Sequence, residues 1–309
     1  MLQDRVEYPH TVLVDLSTSC NATCTMCPTQ INPLRKKLID PGLFTLLVEQ
    51  VAAFAVSPSM FYIGIHGEPL LDKRLAEKVA LCYSVGIKTV TISTNGSLLT
   101  RQRAREILEA QPYIIIVSLE SMVPELFETI RHGLHHETIV ANLKTLFAVR
   151  NEIDSLTRIA IRFIISSRNA HEQAPFTEYW SPFLKAAKGD YFAVDRIHNW
   201  GYGDPTKFHG SSPCPHVGCT TVLSDGSVVF CCLDHEAVYL LGNLRDRPLI
   251  EIFNDYEARR LREVHRAGQR HTLAMCKTCD VAEQWHGTPL APIYDDFVAK
   301  DWVRIPAGV

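Results

Sequence analysis

The chain of 309 residues carries 31 Lys and Arg against 34 Asp and Glu, a net charge of −3 at pH 7, with 46% hydrophobic and 21% charged residues. These are the proportions of an ordinary globular protein, and the spread of basic residues leaves no electrostatic footprint for nucleic acid or an anionic membrane. The opening MLQDRVEYPH lacks the apolar stretch of a secretory signal and no apolar run approaches a membrane span, so a cytoplasmic protein is expected.

TVLVDLST reads as a first strand, and Cys20, Cys24 and Cys27 follow it directly in CNATCTMCP. Three thiolates so close together cannot complete a tetrahedral structural site, so whatever they hold keeps one coordination position open. Asn21, Thr23 and Thr25 are poor candidates for a fourth zinc ligand. MFYIGIH, IKTVTIST, YIIIVSL, TRIAIRFII and YFAVDRI are further apolar, β-branched runs of strand length. Between them GLFTLLVEQVAAF, KRLAEKVALCYSVG, RQRAREILEAQ, ETIVANLKTLFAVR and PFTEYWSPFLKAA have helical periodicity. Such alternation predicts parallel βα units, six in number, in an open sheet or a barrel.

Past Trp200 the texture changes, and residues 201–309 read as a second, smaller module after a first unit of residues 1–200. GYGDPTKFHGSSP is a connection, TTVLSDGSVVFCC a hairpin turning at Asp225-Gly226, and PLIEIFNDYEARRLREVHR a helix before CKTC. Cys214, Cys231, Cys276 and Cys279 form C-x11-G-x4-C, with Gly226 as the glycine, followed by C-x2-C. Four such thiolates hold either a four-iron, four-sulfur cluster or structural zinc, and the spacing favours neither. The clustering of the ten cysteines argues for metal ligation over a disulfide scaffold.

The run of three cysteines after the first strand resembles the signature of the radical S-adenosylmethionine (SAM) superfamily. The resemblance implies an α/β fold, a partial (β/α)6 TIM-like barrel, in which Cys20, Cys24 and Cys27 ligate a four-iron, four-sulfur cluster. The methionyl amine and carboxylate of SAM would occupy the unique iron. Where that superfamily usually has Gly-Gly-Glu, this chain has His66-Gly67-Glu68, and the resemblance gives Gly67 and Glu68 to the methionyl ammonium. His66 departs from the pattern, and packing is the better expectation for it. At the later strand ends, Asn95 in Thr94-Asn95-Gly96 falls in register with the motif, and Ser118 is the expected ribose ligand, with Glu120 beside it. Met26 stands where the superfamily places an apolar side chain near adenine, a position a core residue would fill equally well. Arg162, inside an apolar strand, must find an acceptor: the cofactor carboxylate, a substrate group or a structural carboxylate.

The second cysteine set resembles the truncated SPASM module called twitch, a β-hairpin plus helix that holds one auxiliary four-iron, four-sulfur cluster. Two clusters, SAM and an external electron donor such as flavodoxin or ferredoxin are then implied, with Cys231 and its neighbour Cys232 competing for one ligand position. The resemblance implies reductive cleavage of SAM and hydrogen-atom removal from a C–H bond of a small sugar-like substrate. The aminocyclitol dehydrogenases and aminoglycoside epimerases of antibiotic biosynthesis act in this way. Dehydrogenation, slightly favoured, needs a base, for which Asp234 is the candidate. Epimerisation needs a thiol, for which Cys232 and Cys219 are candidates. Peptide modification and a noncatalytic iron-sulfur or zinc scaffold are the competing readings. His198, Asn199 and Trp200, at the join of the two modules, are expected to line the pocket.

Overall fold

A computed structural model describes residues 6–28, 37–200 and 214–282. Six strands are parallel and adjacent in the order β1 (Thr11–Val14), β3 (Met60–Ile63), β4 (Val90–Thr94), β5 (Ile114–Ser118), β7 (Arg158–Ile165) and β8 (Tyr191–Arg196). They are the six apolar runs of the sequence; β4 and β5, in the middle of the sheet, are buried throughout, as parallel strands covered by helices must be, while β8 at the edge is half-buried to exposed. Two-residue strands β2 (Thr23–Cys24) and β6 (Arg131–His132) pair separately, Cys24 opposite Arg131.

The covering helices are α1 (Pro41–Ala52), α2 (Leu75–Ser84), α3 (Arg101–Glu109), α4 (Pro124–Ile130), α5 (His136–Glu152) and α6 (Gln173–Trp180). Local chemistry starts α1: the Asp40 carboxylate accepts from the Leu43 amide at 3.0 Å and Pro41 opens the first turn. Leu43, Phe44, Leu47, Val48 and Val51 then form its buried stripe. α4 lies in a stretch the sequence reading left without an element.

The C-terminal hairpin does not stand apart from the barrel. β9 (Cys219–Val222) lies parallel to β1, with Thr11 opposite Cys219 and Val14 opposite Val222. β10 (Ser227–Val229) and β11 (Leu240–Asn243) follow in antiparallel order, so one sheet runs through nine strands. The turn falls where Asp225-Gly226 predicts it, with Gly226 at φ +92°. The expected single helix before CKTC is two, α7 (Leu249–Phe253) and α8 (Tyr256–Arg266), because the Asp255 carboxylate accepts from the Tyr256 amide at 2.7 Å and caps a new start. The connection at residues 201–213 lies outside the described residues.

Candidate cluster sites and the face between them

Parallel strands present their carboxyl ends on one side, and the cysteine loop leaves β1 there. The loop is tied down at several points. Cys27 N–H donates to the Cys24 carbonyl at 3.1 Å, and Glu68 N–H to the Ser19 carbonyl at 2.9 Å. Gly67 sits so close that a Cβ would lie 1.9 Å from the Ser17 carbonyl oxygen and 2.7 Å from that of Ser19. Gly67 thus makes a close approach to the cysteine loop's own backbone.

Burial pushes the Cys20 thiol up to about 12, and the charges of Glu68, Cys24 and Cys27 add to it. The Cys24 thiol is raised by burial too, against the pull of Arg131. Thiols in this state become thiolates when iron supplies the positive charge. Donors for such thiolates are in place: Asn95 Nδ2 donates to Cys20 Sγ at 3.9 Å and Arg131 Nη1 to Cys24 Sγ at 3.5 Å. The residues present therefore fit a cluster.

Glu68 is buried and fully engaged. Its carboxylate accepts from the Leu70 amide at 2.9 Å, the Thr94 hydroxyl at 2.6 Å and the Asn95 amide at 2.8 Å, while burial raises its pKa. It links two strand ends. Asn95 likewise ties its strand end to Asn21, at 2.9 Å. Met26 packs in the core, and its carbonyl accepts from Trp200 Nε1 at 2.8 Å. Ser118 closes β5 opposite Arg162 of β7. Arg162 meets the Asp195 carboxylate at 3.0 Å and donates to the Tyr62 hydroxyl at 3.3 Å. The structural carboxylate, one of its three expected acceptors, is thus present.

The guanidinium beside the cysteine loop is Arg131, which sequence reasoning missed. It forms a two-toothed ion pair with Glu120, which is wholly buried. The Cys24–Arg131 pairing spans 107 residues through strands too short to have a period, so its signal in the sequence was nil.

The second thiol site is a cavity lined by Cys214, Cys231, Cys276 and Cys279, walled by Phe230, Leu233, Met275 and Val281. Cys232 is not on its wall, which favours Cys231 as the thiol facing it. Among the described residues no three Cys, His, Asp or Glu side chains converge as one metal ion would need. A four-iron, four-sulfur cluster would give each thiolate its own iron.

Asp234, the expected base, is buried, and both of its oxygens are engaged: one accepts from the Val238 amide and the other from the Tyr239 amide, each at 2.7 Å. It staples the loop after Cys231. Cys219 lies on β9 with its thiol 3.8 Å from His10 Nε2, and burial raises it to about 12. Cys232 is buried with Leu13, Leu233 and Met275, and Tyr62 and Trp200 pack on that cluster. Asn199 joins the two units, its amide donating to Asp280 at 3.0 Å and Nδ2 to the Thr278 carbonyl at 2.6 Å.

His66 has a fixed place of its own. Its Nδ1 lies 2.6 Å from the Asp15 carboxylate, and its ring is 6.1 Å from that of Trp200 and 6.2 Å from that of His235. Burial opposes its charge, but Asp15 and the Cys232 carbonyl outweigh that and raise its pKa. His198, 4.7 Å from the Trp200 ring, is driven down to about 4 by burial and by the charges of His216 and Arg162.

Residues 14–161 match the radical SAM superfamily, and residues 214–280 match the iron-sulfur cluster-binding domain SPASM. The chain carries a radical SAM core followed by a SPASM domain. A radical SAM core with a SPASM domain calls for two four-iron, four-sulfur clusters and SAM, and makes this chain a radical SAM enzyme. It is 29% identical to GTP 3',8-cyclase of Chlorobaculum tepidum over 50% of its own length and 46% of the cyclase, so it spans about half of that relative. Over 86% of its length and 91% of the relative's it is 22% identical to the SAM-dependent 2-deoxy-scyllo-inosamine dehydrogenase of Niallia circulans. Its fold is similar to that of BtrN in complex with AdoMet and 2-DOIA (TM-score 0.63, 18% identity, 94% of this chain and 99% of BtrN). It is also similar to anSMEcpe with bound AdoMet (TM-score 0.66, 15% identity, 94% of each). No helix among the described residues of this radical SAM enzyme is long and apolar enough to cross a membrane.

Proposed function

We propose that this radical SAM enzyme removes a hydrogen atom from a carbinol carbon of an aminocyclitol or similar amino sugar and completes a dehydrogenation to the ketone. The observation that carries the reading is a polar face: Arg162 contacts both Asp195 and Tyr62, and Trp200, with His198 alongside, bonds the Met26 carbonyl of the first cysteine loop and packs with Tyr62, Cys231 and Cys279. Such a face suits a small molecule bearing hydroxyl and amino groups. Near-complete alignment with an aminocyclitol dehydrogenase supports the same substrate class.

When bound, the first cluster and SAM supply a 5'-deoxyadenosyl radical and the auxiliary cluster supplies an electron acceptor. Cys20, Cys24 and Cys27 hold the first, and Cys214, Cys231, Cys276 and Cys279 the second. Arg131, buried against Glu120 and Cys24, offers its charge to the methionyl carboxylate, a role the sequence suggested for Arg162. The carbonyls beside Gly67 receive the ammonium, Ser118 the ribose and Met26 the adenine, while Glu68 and Asn95 position these loops. Asp195, whose side chain is 51% exposed, takes the substrate's hydroxyl proton in place of the engaged Asp234. The enzyme is cytoplasmic and is reduced by flavodoxin or ferredoxin.

The test is anaerobic turnover in deuterium oxide with a strong reductant, SAM and a panel of aminocyclitols and aminoglycosides, followed by mass spectrometry. A product two hydrogens lighter, with Asp195→Asn cleaving SAM but failing to form it, is the expected result. An unchanged formula with one deuterium on carbon means epimerisation, with Cys232 and Cys219 the thiols to replace. No 5'-deoxyadenosine under any condition sinks the radical reading.

A further inference from the structure

Arg270 is only 1% exposed. It opens the short turn Arg270–Thr272 between α8 and CKTC, and its Nη1 donates to the carbonyls of Cys276 at 2.5 Å and Cys279 at 3.1 Å. One guanidinium nitrogen thus clasps both ends of C-x2-C from behind, and the side chain reaches the wall of the four-thiol cavity. Taking a cation out of water is costly, and carbonyl dipoles return only part of that cost. The four thiolates of a cluster would bring negative charge to the cavity whose lining Arg270 joins.

Two buried carboxylates near the cavity carry the opposite sign, Asp234 acting on Cys231 and Cys276 and Asp280 on Cys279, and among the residues lining the cavity Arg270 is the one Arg or Lys to set against them. His265 of α8, 5.6 Å from the Phe230 ring, is held down to about 4 by burial and by Arg270 itself, so it is neutral at pH 7.

We propose that Arg270 is a positioning residue for the auxiliary cluster: it shapes the C-x2-C ligand loop and, as a fixed buried cation, raises the cluster's reduction potential. The inference rests on the iron-sulfur part of the proposed function and deepens it. A cluster with four thiolate ligands grows more negative on reduction, so a nearby fixed cation favours the reduced state. The potential is thereby biased toward accepting an electron, as dehydrogenation demands.

The test uses the full-length chain with Cys20, Cys24 and Cys27 all replaced by Ala, so that only the auxiliary cluster is read. Arg270→Gln and Arg270→Lys are reconstituted in this background, and iron content and the midpoint of an EPR-monitored redox titration are measured. The expected result is a cluster in Arg270→Lys with a midpoint near that of the parent. Arg270→Gln should hold a cluster of clearly lower midpoint, or lose it. A fully occupied Arg270→Gln with an unchanged midpoint overturns the proposal, as does loss of iron from Arg270→Lys as complete as from Arg270→Gln. A parent that binds redox-silent metal instead of iron refutes the iron-sulfur reading itself. Because no substrate is present, a wrong substrate class leaves these readouts untouched.

Discussion

Replacing Gly67 with Ala puts the superposition of two strand-end loops to a quantitative test. The added Cβ would lie 1.9 Å from the Ser17 carbonyl oxygen, and real Cβ contacts essentially never fall below 3.0 Å. The cysteine loop must therefore retreat by at least about 1 Å, and the Glu68 N–H to Ser19 carbonyl bond breaks with it. Overpacking of this kind costs about 1–3 kcal/mol and the lost hydrogen bond about 1 kcal/mol more, which a folded chain of this size survives. Catalysis is less forgiving, because a misplacement of about 1 Å commonly costs about 100-fold in rate. The prediction is a variant with nearly normal circular dichroism, a lowered urea midpoint and 5'-deoxyadenosine formation reduced about 100-fold after reconstitution. Cleavage of SAM at more than about a third of the wild-type rate would show that the loop relaxes freely and that the contact is not what positions it.

The Arg131–Glu120 pair separates charge from fold. Arg131→Gln should be markedly unstable, by about 3–5 kcal/mol, because it strands the buried Glu120 charge, whereas the double variant with Glu120→Gln should recover most of that loss. Both should bind SAM about 10- to 100-fold more weakly by calorimetry, and wild-type affinity in the double variant would remove Arg131 from the cofactor site. His198 supplies a pH test: with its folded value near 4, the unfolded chain takes up a proton at its ordinary value near 6.5 while the folded chain does not. Its contribution is therefore fully present above about pH 6.5 and is lost as the pH falls toward 4. Urea midpoints of the reconstituted enzyme should drop across that window and drop less in His198→Gln, and identical slopes would disprove the assignment.

The strands and most helices were legible because each is written in a local code: β-branched runs, a capping Asp40 before Pro41, a Gly226 at the hairpin. The two cysteine sets were legible for the same reason, since their ligands lie a few residues apart or at a known offset from a glycine. What escaped was pairing between distant segments. Nothing in Cys24 or Arg131 announces the other, and nothing in TTVLSDGSVVFCC says that its first strand seats against β1. Asp234 and Glu68 show a different failure. Both were placed in the right neighbourhood by motif, but their oxygens are taken by backbone amides and a hydroxyl, and only coordinates show such occupancy. Apolar periodicity runs unbroken from α7 into α8 across Asn254 and Asp255, while the Asp255 cap interrupts the backbone.

The pairing of β9 with β1 also sets a timetable. One edge of β1, the strand that leads into the first cysteine loop, stays unpaired until Cys219–Val222 has left the ribosome. At ordinary synthesis rates that interval lasts roughly ten to forty seconds. Throughout it the cell holds a nascent chain with three closely spaced thiols beside an open sheet edge, exposed to oxidation and to stray metals. Iron delivery that waits for the closing strand would meet a finished site, so slowing translation between residues 28 and 219 should lower the fraction of chains that mature with the right metal.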